Sequence, residues 1–145
     1  MRLLIALAMA AMLAACSTVP RNTQGWIEPV DAVRAANDDP LNGVRGHFVL
    51  TVKALNSYSD RTFLNSERDY RDQRNLTVKM PTSMVPSLEQ RLGVGLQGLK
   101  NRRLVVLGVA KRVRIDFLAD GRPTGKYYYQ THVQVDSPTQ VSFAD

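Results

Sequence analysis

The chain has 145 residues, a single Cys and a formal net charge of +6. That length, less an N-terminal export segment, supplies one domain of ordinary size and excludes two; a lone Cys excludes an intramolecular disulfide. The charge is unevenly spread. Residues 100–126 hold eight cations against Asp116 and Asp120, a local field that favours anionic partners or forms a solvated strand face.

Met1-Arg2 is followed by an unbroken apolar run, Leu3 to Leu13, and then by Ala14-Ala15-Cys16. A charged start, an apolar stretch and small residues at a cleavage point are the layout of a secretory signal peptide. The run is too short to span a bilayer, which needs about 20 residues. Leu13-Ala14-Ala15-Cys16 resembles the lipobox of bacterial lipoproteins, in which the Cys thiol is acylated and the chain is cut just before it. The resemblance implies residues 1–15 as signal peptide and Cys16 as the lipidated residue. Ser17, a residue other than Asp after the Cys, implies sorting to the outer membrane, facing the periplasm. An ordinary signal peptide with a nearby Cys is the alternative.

Residues 16–43, with Pro20, Pro29 and Pro40 among small polar residues, read as the lipidated N-terminus and a tether, with one short helical turn near Val30–Ala36. The domain is then expected over 44–145. Phe48, Leu50, Val52 and Ala54 alternate with polar residues as one strand. Asn56 to Asp60 is turn chemistry, Thr62–Asn65 a second strand, and Leu76, Val78 and Met80 mark a third that Pro81 ends. Met84, Leu88 and Leu92 recur every fourth residue, with Pro86 near the start and Gly93 after the end, predicting a short amphipathic helix.

Arg103 to Phe117 is the longest predicted strand. Its odd positions Val109, Val113, Ile115 and Phe117 form an apolar face, broken only by Lys111, while Arg112 and Arg114 turn outward. Gly108, without a side chain in mid-strand, suggests a bulge or a sharp bend. Ala119 to Gly125 reads as a hairpin connection into a last long strand, Lys126–Asp136, and Gln140–Phe143 as a short edge strand. Strands with one helix between the third and fourth, and a mid-strand Gly, predict an all-β fold with one short helix. Such an order suits a small OB-like Greek-key β-barrel.

Arg61-Thr62-Phe63-Leu64-Asn65-Ser66, Asn75-Leu76-Thr77-Val78 and Leu99 to Ala110 together resemble OB-fold-type domains of bacterial exported proteins, over about residues 44–136. Asn101 stands where that pattern has a Gly. The resemblance implies the barrel, and binding rather than catalysis.

Chemistry for an enzyme is thin. No Gly-x-Ser-x-Gly elbow occurs, and only His47 and His132 could act as bases. Two separated His give no metal site, and nothing in the chain points to a cofactor. Glu67, Asp69 and Asp72 alternate with arginines, which hold carboxylates ionised and unsuited to acid catalysis. Two surfaces qualify for binding. One is Arg112 and Arg114 with Tyr128, expected on one outward face of the last hairpin, with Tyr127 and Tyr129 in the core. The other is Arg68, Tyr70, Arg71 and Arg74, in a connection that could equally be pinned by its own ion pairs. The expected function is a lipid-anchored, non-catalytic envelope module that binds an anionic glycan or an envelope protein. Single-stranded nucleic acid outside the cytoplasm is the alternative ligand, and an envelope hydrolase a weaker one.

Overall fold

The structure is a computed structural model, and it describes residues 18–145. The expected signal peptide, the expected lipidation site Cys16 and Ser17 lie outside the described residues. No helix among the described residues is long and apolar enough to cross a membrane.

Helix α1 (Pro29–Asp38) begins on a proline, which suits a first helical position because its missing N–H needs no partner there. Ala32 and Ala36, four apart, are fully buried against the sheet. Just before it, Ile27 joins the core: its N–H donates to the His47 carbonyl (2.8 Å), and its own carbonyl accepts from Val49 N (3.1 Å). The stretch expected as a tether is therefore largely folded. Its small residues carry little hydropathic periodicity, yet alanines let a helix approach a sheet closely.

Seven strands follow: β1 (Val44–Thr51), β2 (Ala54–Ser57), β3 (Arg61–Asn65), β4 (Leu76–Pro81), β5 (Arg103–Ala119), β6 (Arg122–Gln134) and β7 (Val141–Phe143). They form one sheet in the order β1-β5-β6-β4-β3-β2, with β7 on β5. The β4–β6 pair is parallel and the others are antiparallel.

The expected closed all-β barrel with one helix is corrected by this path to an open, mixed seven-stranded sheet with two helices. The sheet has two ends, β1 and β2, and no ladder joins them. The reason lies at Val52-Lys53, inside what the alternation suggests is one strand. Val52 bonds towards β5, its N–H to the Arg102 carbonyl and its carbonyl from Asn101 N, whereas Lys53 N donates to the carbonyl of Asn65, the last residue of β3. The chain changes partner within two residues, so β1 and β2 meet end to end.

Helix α2 (Val85–Leu92) matches its predicted bounds, and Gly93 closes it at φ 69°, a left-handed conformation that costs glycine little. Gly108 does not mark a bulge, since β1 pairs with β5 in unbroken register across it. A Cβ there would come within 2.7 Å of Val133 Cγ1 in the packed interior, so Gly108 permits close packing. The register shift in β5 falls instead between Asp116 and Leu118. The β5–β6 connection is only Asp120-Gly121, both left-handed (φ 51° and 74°) as the tightest hairpin turns require. The core packs between the sheet and both helices, and its members run from Val19 to Phe143. A fragment starting at Thr18 thus keeps every described core residue.

Candidate binding groove

One side of the sheet carries a groove with a volume of about 540 Å³, within the range of ordinary ligand sites. Strand alternation sets its lining. β5 contributes Val109, Lys111, Val113 and Ile115, and β6 contributes Tyr128, Gln130, His132 and Gln134. Thr77 and Lys79 come from β4, Arg61, Phe63 and Asn65 from β3, and Asn56 from β2, with Tyr58 and Tyr70 at the rim. The odd-numbered apolar face of β5 is consequently half-buried groove floor and not core beyond Ala110. Lys111, which interrupts that face, was the readable sign that it meets water.

The groove combines three chemistries. Tyr58, Phe63, Tyr70 and Tyr128 bring aromatic rings, with Tyr58 edge-on to Phe63 at 6.1 Å and Phe63 edge-on to His132 at 6.3 Å. Asn56, Asn65, Gln130 and Gln134 bring amides. Arg61, Lys79 and Lys111 bring positive charge, and no carboxylate is among the described residues lining the groove. Arg61 is held by Asp60 at 2.6 Å, whereas Lys79 and Lys111 make no ion pair among the described residues.

A hydrogen-bonded chain orients the β6 side chains. His132 Nε2 donates to Gln130 Oε1 (2.7 Å), and Gln130 Nε2 donates to the Tyr128 hydroxyl oxygen (2.7 Å). Burial, with Lys79 nearby, lowers the His132 pKa to about 4, so the ring is neutral at pH 7. Burial likewise raises the Tyr128 phenol above its ordinary value, keeping it protonated. Its oxygen accepts from Gln130, which leaves the O–H available to donate to a ligand.

The loop between β3 and β4 is pinned from beneath by buried polar residues. Asn75 Nδ2 donates to Asn65 Oδ1 (3.0 Å) and to Thr77 Oγ1 (2.9 Å), and Thr77 Oγ1 donates to Asn65 Oδ1 (2.8 Å). Asn75 Oδ1 accepts from Glu67 N (3.0 Å), and Ser66 Oγ accepts from Leu76 N (2.8 Å). Such a satisfied network favours a single loop conformation, and it sets Tyr70 at the groove rim. Two asparagines ten residues apart gave no sequence signal of this pairing.

The expected site residues are divided. Tyr128 lies in the groove, its ring 5.3 Å from that of Phe117. Arg112 and Arg114 are on the opposite face, 4.2 Å over the Tyr129 ring and 4.1 Å over the Tyr127 ring. The anticipated shared face of Tyr128 with these arginines is corrected by the register, which pairs Arg114 with Tyr129 and Ile115 with Tyr128. Tyr127 and Tyr129, expected in the core, are 49 % and 36 % exposed.

Of the loop residues, Tyr70 joins the groove and Arg71 lies 5.2 Å from its ring. Arg74 is engaged by Asp72 at 2.8 Å, which holds that carboxyl down to about 2. Arg68 borders a separate shallow depression with Lys53, Glu67 and Asp69.

His47 is exposed on β1 and does not meet His132 on β6. Among the described residues no three His, Cys, Asp or Glu side chains gather to hold a metal ion. Comparison with protein-family models and with curated protein sequences finds no match.

Proposed function

We propose that this protein is a non-catalytic binding module of the bacterial cell envelope, lipid-anchored through Cys16, whose groove recognises an anionic glycan. The observation that carries the reading is the groove's lining: four aromatic rings, four amides and three cations, with no carboxylate among the described residues. Aromatic faces stack on the apolar faces of sugar rings, amides and the Tyr128 hydroxyl meet sugar hydroxyls, and Lys79 and Lys111 meet carboxylate or phosphate substituents. His132 is neutral, and its Nε2 is already committed to Gln130, which suits positioning better than proton transfer.

The test is titration of the 18–145 fragment with acidic polysaccharides, neutral polysaccharides and single-stranded oligonucleotides. Acidic polysaccharide should bind, and Lys79→Ala with Lys111→Ala should weaken it at least about tenfold, the scale of a lost charge-assisted contact. Tyr70→Ala should weaken both acidic and neutral chains. Salt-sensitive oligonucleotide binding with no binding of acidic polysaccharide would replace the glycan by single-stranded nucleic acid.

A further inference from the structure

The β5–β6 ribbon extends beyond the rest of the sheet. On β5, pairing with β1 ends at Ala110; on β6, pairing with β4 starts at Thr131. From Lys111 to Ala119 and from Arg122 to Gln130, the two strands pair only with each other among the described residues. Nine residues of strand make an arm roughly 30 Å long, and two-stranded ribbons are marginal in water without added support.

Here the support is an interleaved ladder on the face opposite the groove. Arg112 covers Tyr129, Arg114 covers Tyr127, and the two tyrosine rings meet edge to face at 5.7 Å. Arg114 Nε also donates to Asp116 Oδ1 at 2.9 Å. The tip is apolar, with Leu118 63 % exposed and Phe117 44 % exposed. The arm and its turn hold five cations (Lys111, Arg112, Arg114, Arg122 and Lys126) against Asp116 and Asp120.

We infer that this arm is a membrane-contact element, with Leu118 entering the interface of an anionic phospholipid bilayer and the Arg–Tyr ladder lying among the headgroups. Each part matches one layer of that surface. An exposed Leu gains by burial among acyl chains, tyrosines favour the headgroup level, and guanidinium groups pair with phosphates while their stems cover apolar surface. The net positive charge complements anionic lipid. This inference goes beyond the glycan reading, because it uses the other face and the tip of the ribbon.

The only Cys of the chain is Cys16, so the 18–145 fragment has no thiol. Leu118→Cys therefore takes one environment-sensitive dye at the tip, and Leu41→Cys, at a position 86 % exposed after α1, serves as the control. With vesicles of phosphatidylglycerol and phosphatidylethanolamine, the tip dye should shift to the blue and the control dye should not. High salt should reverse most of the shift, and pure phosphatidylcholine vesicles should produce none. Replacing both Arg112 and Arg114 by Gln in the unlabelled fragment should lower vesicle partition roughly 10- to 30-fold, as expected for two cations at an anionic surface. No shift at the tip, equal shifts at both dyes, or undiminished partition of a double variant with an unchanged melting midpoint would each overturn the inference. Polysaccharide binding by the unlabelled double variant is read separately, so failure of the glycan reading shows up as its own result.

Discussion

His132 is the residue whose protonation the fold controls most strongly. It is neutral in the folded chain because burial and Lys79 lower its pKa to about 4, against about 6.5 in an unfolded chain. Between those values the unfolded chain binds a proton that the folded chain refuses, so stability falls as pH drops from about 6.5 to about 4. The loss attributable to this one group is about 3 kcal/mol at the acidic end. Asp72 acts in a lower window: with its pKa held at about 2, its contribution is lost only as pH falls below about 4. Urea unfolding of the 18–145 fragment at pH 7, 5.5 and 4.5 should show the His132 loss, and His132→Gln should flatten it. An equally steep pH profile in the His132→Gln variant would mean that the ring titrates normally. The same ring anchors the Gln130–Tyr128 chain, so the variant should also weaken ligand binding at pH 7.

At the scale of elements, legibility followed the strength of the hydropathic period. The β4, α2 and β5 segments were readable because Leu76-Val78-Met80, Met84-Leu88-Leu92 and Leu104 to Val113 carry apolar spacing over several residues. The partner switch at Val52-Lys53 was not readable, since both halves keep the same alternation and only hydrogen bonding separates β1 from β2. Burial was misread along the ribbon for a related reason. Alternation states which residues share a face, but nothing in Val113-Arg114-Ile115 says which face meets the core when neither does. Helix α1 was legible only as a short helical turn near Val30–Ala36, and its docking on the sheet was hidden by its alanines. Its membership of the domain has a direct consequence: Ala36, fully buried against the sheet, tolerates no charge. Ala36→Asp should cost about 3 kcal/mol or more, because the carboxylate has no buried partner there. A melting midpoint equal to that of the unmodified fragment would return α1 to the status of a tether.

For the whole molecule, the lipid proposed at Cys16 and the contact proposed for the β5–β6 arm would be two attachments to one surface with different physics. Val19 already packs against the core, and three residue steps back to Cys16 span at most about 11 Å of extended chain. An acyl chain on Cys16 would hold the domain close to the bilayer. Acyl attachment depends on buried methylene groups, is stable once two or more chains are present, and resists salt. Attachment through the arm depends on charge and weakens as salt screens it. Membranes from cells producing the intact chain should therefore retain it through a high-salt wash without detergent. Cys16→Ser should leave the domain folded, since the described core begins at Val19, and should turn retention into a salt-sensitive one: bound at low salt, released at high salt. Adding the Arg112→Gln and Arg114→Gln changes to Cys16→Ser should weaken the low-salt association as well. If Cys16→Ser stays with the membrane through the high-salt wash, the thiol is not the anchor, and the apolar run from Leu3 to Leu13 becomes the segment that holds the protein there.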